Sequence, residues 1–145
     1  MGLLHLCDEH PAAVNPETSA AEAIQLMLEH RVGAVTVVDR DGIVAGVFTE
    51  RDVLRKLVLS GRDPAQTPVS ELMTSPVVLA TPSTTPGEAF GIMMERHFRH
   101  LPLVDDQGRL IAMLSIRNLL QWRVDELTDR LDTMEQYITN DAMGG

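Results

Sequence analysis

A gapless internal repeat constrains this chain more than any other feature. Displaced by 66 positions, the sequence matches itself from residue 14 to residue 54. Pro16, Thr18, Glu22-Ala23, Met27 and Glu29 fall on Pro82, Thr84, Glu88-Ala89, Met93 and Glu95. Val38-Asp39, Gly42, Arg51 and Leu54 fall on Val104-Asp105, Gly108, Arg117 and Leu120, making 11 identities in 41 positions. Apolar positions coincide as well, at Val35/Leu101, Val37/Leu103 and Val47/Met113, and the register reaches back to Leu6-Cys7 on Leu72-Met73. A period this long exceeds a solenoid repeat and suits a small duplicated α/β unit. The 145 residues then hold two such units in one body, with too little chain for two independent enzyme domains.

Each unit reads the same way. A helix starts at Ser19-Ala20-Ala21-Glu22 and again at Thr85-Pro86-Gly87-Glu88, both with capping-box spacing, the second with Pro at the first helical position. Apolar residues follow at helical intervals, Ala23-Leu26-Met27 and Ala89-Ile92-Met93. Strands are predicted over 34–38 and 101–104, turns at Asp39 to Gly42 and Asp105 to Gly108, and return strands over 43–48 and 110–114. A second helix follows Thr49 and Ser115, and short extended pieces precede each unit at Ala13-Val14 and Val77 to Leu79. The expected division is a first unit over 1–62, a linker over 63–68, a second unit over 69–124, and a C-terminal helix extension with a fraying tail over 125–145.

Charge and composition exclude several functions. The chain has 12 Lys+Arg against 21 Asp+Glu, a net charge of −9, which disfavours nucleic-acid polymers. Aromatic residues are 3% of the chain, too few for a base-stacking platform. The single cysteine, Cys7, excludes an internal disulfide framework and a Cys-rich zinc site. It occupies the place of Met73, as a small apolar residue rather than a nucleophile. His97 and His100 have no further ligand at metal spacing, so no metal site is expected. Neither a leader peptide nor a membrane-length apolar run is visible, which predicts a soluble cytoplasmic protein with no membrane partner. No nucleophile triad or Gly-rich phosphate loop appears, so no catalytic residue is assigned and the chain is read as a non-enzyme.

The repeat resembles the CBS (cystathionine beta-synthase) domain, and the whole chain resembles a stand-alone tandem pair, a Bateman module. The resemblance rests on the Val-x-Pro-x-Thr-Ser run at 14–19, Glu-Leu-Met-Thr at 71–74, His-Leu-Pro-Leu-Val-Asp at 100–105 and Gly-Val-Phe-Thr-Glu-Arg-Asp at 46–52. It implies a mixed α/β (α+β) fold in which two α-β-β-α repeats pack about a pseudo-two-fold axis. It also implies adenosyl ligands such as AMP, ADP, ATP or S-adenosylmethionine, bound in clefts between the repeats as regulators, with no required cofactor.

Within the resemblance, Gly46, Thr49, Arg51 and Asp52 form the sharpest candidate. The resemblance implies that the Thr49 hydroxyl and the Asp52 carboxylate hold the ribose and phosphate side of a nucleotide. A carboxylate can accept from both ribose hydroxyls, and a helix start favours an anion. Thr49-x-x-Asp52 is equally an ordinary helix cap, and both readings stand at this point. The second copy departs from the pattern: Ala112 replaces Gly46, Ser115 replaces Thr49 and Asn118 replaces Asp52. The Thr49/Asp52 site is therefore expected to be the more competent. Arg117 matches Arg51, and Arg99 and His100 add positive groups before a strand, as phosphate partners or as solvated helix-end groups. Arg96 and His97 are read as the latter.

One stretch has no counterpart. Leu120, Val124, Leu127, Leu131, Met134 and Ile138 recur in steps of 4, 3, 4, 3 and 4, a heptad stripe. A homodimer seam is preferred here over packing on the chain's own body. The functional expectation is a regulatory module that binds an adenosyl small molecule and signals to an unidentified protein effector. The alternative is an interaction or structural protein with degenerate ligand sites that acts through dimerisation.

Overall fold

The computed structural model describes residues 2–144, with side chains through residue 139. The element order repeats once. Strand β1 (Ala13–Val14), helix α1 (Ala20–His30), strands β2 (Ala34–Val38) and β3 (Val44–Thr49) and helix α2 (Glu50–Asp52) form the first set. The α2 helix continues as π-helical turns over Val53–Val58. The second set is α3 (Pro86–Arg96), β4 (His100–Val104), β5 (Leu110–Ser115) and α4 (Ile116–Gly144). The predicted repeat, mixed α/β class and long C-terminal helix are all present. Of the tail expected to fray, Gly145 lies outside the described residues.

Local chemistry sets the helix and turn positions. Ser19 Oγ accepts from the Glu22 amide, but the reciprocal half of the expected capping box is not made. The linker covers two further amides of this helix start, with Thr67 O and Pro64 O accepting from Ala20 and Ala21. At α3 both halves of the box form between Thr85 and Glu88. The two helices end alike, with Arg31 and the 66-related His97 in the left-handed conformation at φ 55° and 58°. Gly42 and Gly108 take φ 82° in the hairpin turns, where a side chain would be strained. Asp39 Oδ1 and Asp105 Oδ1 each accept two turn amides, and those bonds hold the Asp105 carboxyl below its ordinary range.

In the first sheet β1 runs parallel to β2, and β2 pairs antiparallel with β3 from Ala34 opposite Thr49 to Val37 opposite Gly46. In the second, β4 pairs with β5 from His100 opposite Ser115 to Leu103 opposite Ala112. A register shift follows Val37 and, at the 66-related position, Leu103. The extended piece expected at Val77 to Leu79 is not a strand; only Ala80 bridges, parallel to Leu103. Proline explains the loss. In the first unit the Thr36 amide donates to Ala12 O, and its counterpart Pro102 has no N–H to give.

The two units meet about a local two-fold axis. Val44 N donates to Gly108 O at 3.2 Å and Leu110 N to Gly42 O at 3.1 Å, a reciprocal pair around Ile43 and Arg109. The cores are exchanged at their margins. Leu3 is buried in the cluster of Ala89, Met93, Leu101 and Leu114, whereas Val69 and Leu72 are buried with Met27, Val35 and Phe48. Each lead-in also pairs with the strand of the other unit: Asp8 with Met113, and Thr74 with Val47. Each such buried aliphatic side chain contributes about 1.5–3 kcal/mol to holding the units together.

Candidate functional site

Thr49 ends β3 with extended backbone, and its hydroxyl caps α2 by accepting from the Asp52 amide at 3.2 Å. The Asp52 carboxylate turns back: Oδ2 accepts from the Thr49 amide at 3.0 Å and from its hydroxyl at 3.1 Å. Thr74, from the lead-in of the second unit, donates its hydroxyl to Asp52 Oδ1 at 2.9 Å. Lys56 Nζ lies 3.2 Å from Oδ1 and donates to Met73 O at 3.3 Å. Asp52 is only 5% exposed, so its charge is compensated almost entirely from within the protein. The capping geometry is therefore realised, and a ribose reaching this carboxylate must displace Thr74, Lys56 or the Thr49 hydroxyl.

Sequence reasoning missed both of those partners. Lys56 is the only lysine of the chain and stands at helical i+4 spacing from Asp52, a legible signal. Thr74 is 22 residues away and carried no such signal.

Gly46 makes room for the protein's own chain. A Cβ there would lie 2.6 Å from Met73 Sδ and 2.8 Å from Thr74 O. Ser75 Oγ adds a bond to Ala45 O at 2.9 Å, so residues 73–75 lie along β3 as a strap. The 66-related positions of the second unit carry complementary volumes. Ala112 stands for Gly46 and Cys7 for Met73. Cys7 is half-buried against the second core cluster, and burial, with Glu9 and Asp8, pushes its thiol up to about 11.

The second helix start repeats the cap with a neutral group. Asn118 Oδ1 accepts from the Ser115 amide at 3.1 Å and its hydroxyl at 2.7 Å, and Ser115 Oγ accepts from the Asn118 amide. The surroundings differ. Asp8 stands for Thr74 and Trp122 for Lys56, and the exposed Asp8 carboxylate accepts from the His10 amide. The Asn118 amide nitrogen has no partner among the described residues, so this cap keeps a free donor that the Asp52 carboxylate cannot offer.

The predicted cations divide. Arg51, Arg99 and Arg117 are exposed and make no ion pair among the described residues. His100 is partly buried at the start of β4, against the first unit: a Cβ on Gly33 would lie 3.4 Å from its ring and 3.5 Å from the Glu50 carboxyl. Burial lowers the His100 pKa, with Glu50 opposing the shift and Arg99 adding to it.

A cavity of about 860 Å³ lies elsewhere, between β1, α1 and the first hairpin turn. Glu17, Glu22, Asp39 and Asp41 line it against Arg40 alone, and none of the predicted site residues does. Such a wall repels phosphate. Among the described residues, no three His, Cys, Asp or Glu side chains gather closely enough for a metal ion, and no helix is long and apolar enough to cross a membrane.

Comparison with known proteins fits this architecture. The CBS domain family profile matches residues 5–59 and 69–125. An uncharacterized 17.7 kDa protein of Acidianus ambivalens is 38% identical over 112 residues, covering 77% of this chain and 66% of that one. The CBS domain-containing protein YhcV of Bacillus subtilis is 37% identical over 108 residues, covering 74% and 75%. The chain spans only 55% and 58% of the relatives from Methanopyrus kandleri and Arabidopsis thaliana. Among solved structures, a putative signal-transduction protein with CBS domains from Burkholderia ambifaria has a TM-score of 0.76 at 38% identity, covering 81% of this chain and 85% of that one. CBSX2, solved in complex with AMP, has a TM-score of 0.75 at 26% identity, covering 86% and 96%. The CBS domain pair of MJ0100, solved with 5'-methylthioadenosine and S-adenosyl-L-methionine, shares the fold at 19% identity, with a TM-score of 0.76 and coverage of 84% and 98%. The two sequence repeats, their reciprocal pairing and these matches together show that the chain belongs to the CBS-domain family, with two CBS domains in tandem.

Proposed function

We propose that this CBS pair is a regulatory module, not a catalyst, that binds an adenosyl nucleotide between its repeats and signals to a protein effector in the cytoplasm. The observation that carries the reading is the bonding of Asp52. Its carboxylate belongs to the helix start of one repeat, yet Thr74 of the other repeat's lead-in is bonded to it. A ribose that takes acceptor sites on Asp52 releases Thr74, and Lys56 lets go of the strap at Met73 O. Ligand occupancy thereby changes how the two repeats hold each other, which gives the ligand a differential affinity for the two arrangements. CBSX2 in complex with AMP supports the ligand class. Thr49, Asp52, Ser115 and Asn118 are the proposed ribose-side contacts. Arg51, Arg99, His100 and Arg117 are the proposed phosphate-side groups, and Gly46 is the seat of the strap.

Thermal melts in AMP, ADP, ATP, NAD and S-adenosylmethionine test the reading. A ligand at 100 times its Kd adds roughly 2.7 kcal/mol to stability. A flat response across the panel would refute it.

A second reading is favoured by the exposed stripe on α4. The module works as a homodimer, and if its ligand sites are degenerate, association is its function.

A further inference from the structure

We propose that α4 pairs with α4 of a second copy of this chain as a parallel, in-register two-stranded coiled coil over residues 120–139. The proposal rests on the dimeric reading above and adds its direction and register. Leu119 is the last core residue of the helix among the described side chains, and from residue 127 to residue 139 every side chain is exposed. Along this span Leu120, Val124, Leu127, Leu131, Met134 and Ile138 are between 44% and 62% exposed. A helix of this length surrounded by water is marginal, and its apolar stripe needs cover.

The chemistry of the stripe identifies the cover. Steps of 4 and 3 average 3.5 residues, the period of a left-handed supercoil. Leu120, Leu127 and Met134 take the d positions, and Val124, Leu131 and Ile138 the a positions. β-branched residues at a with Leu at d favour two parallel strands. Asp125, Asp129 and Asp132 fall on the outer face, clear of the seam.

Charge sets the direction. Arg123 and Arg130 take the g positions, and Gln121, Thr128 and Glu135 the e positions. In a parallel pair each g residue faces the e residue five further along the other helix. Arg130 then meets Glu135 of the second copy, twice by symmetry, and Arg123 meets a neutral Thr128. In a fully overlapped antiparallel pair Arg130 faces its own copy, and Glu135 faces Gln121. In the single chain Arg130 is bonded to Glu126 and is 63% exposed, so it is free to turn to the new partner.

The test uses the full chain in a Cys7→Ser background. Light scattering should give twice the monomer mass, and Met134→Cys should form an interchain disulfide under mild oxidation. Arg130→Glu should raise the dimer dissociation constant about tenfold, and Arg130→Glu/Glu135→Arg should restore it. If Met134→Cys links only to Val124→Cys in a mixture of the two variants, the direction is overturned while the dimer stands. A monomer at micromolar concentration overturns both the coiled coil and the dimeric reading, and leaves the ligand reading to its own melts.

Discussion

The Thr74 hydroxyl donates to the Asp52 carboxylate at 2.9 Å, joining the lead-in of the second repeat to the helix start of the first. The acceptor is buried, so the bond is charge-assisted and shielded from water. Thr74→Val should therefore cost about 1–3 kcal/mol in urea unfolding. The same change should tighten AMP binding in calorimetry, because it removes a competitor for the carboxylate. Weaker binding would mean that Thr74 is a ligand contact and not a strap.

Asp52 and Asn118 hold equivalent positions with unequal surroundings. Asp52→Ala removes a cap and leaves the Thr74 hydroxyl and Lys56 without their acceptor, so it should destabilise by about 1–3 kcal/mol. It should also abolish any stabilisation by AMP, while Asn118→Ala reduces that stabilisation less. The opposite order in thermal melts would move the main ligand site to Ser115 and Asn118, where a donor is free.

Gly46 and Met73 are a matched pair, and so are Ala112 and Cys7. Gly46→Ala forces a Cβ to within 2.8 Å of the Thr74 carbonyl and should cost about 1–3 kcal/mol. Adding Met73→Cys copies the other repeat and should recover part of that loss. Chemical denaturation of the two single variants and the double variant measures the coupling; strict additivity would contradict the pairing.

His100 titrates against burial, with Glu50 and Arg99 as its charged neighbours. Its folded pKa lies below the ordinary 6.5, so between the two values the unfolded chain binds more protons. Stability should therefore rise with pH through this window, and be lost as pH falls below about 6.5. His100→Gln should flatten the urea midpoint between about pH 7 and pH 5. An unchanged slope would assign the pH dependence to other groups.

Much of the fold was legible because it is decided locally. Ser19, Thr85, Thr49 and Ser115 cap helices where their hydroxyl spacing said they would, and Gly42 and Gly108 turn the hairpins. The strand expected at Val77 to Leu79 failed for a reason visible only in pairing, the missing amide of Pro102 in the neighbouring strand. The residues of the Thr49–Asp52 motif were legible; the state of its carboxylate was not. That state depends on Thr74, which reaches Asp52 only because the lead-ins cross between the repeats.

The sequence by itself determined a duplicated α/β unit, its turns and caps, and a heptad stripe on the last helix. These follow from periodicity and from side chains that bond within three or four residues of themselves. Tertiary structure alone decided that Leu3 packs in the second core and Leu72 in the first, that Met73 fills the space above Gly46, and that Thr74 bonds to Asp52. Each of these is a contact across the local two-fold axis. The physical reason is that a repeat specifies two copies of a surface, while the axis along which they bury each other specifies which groups meet.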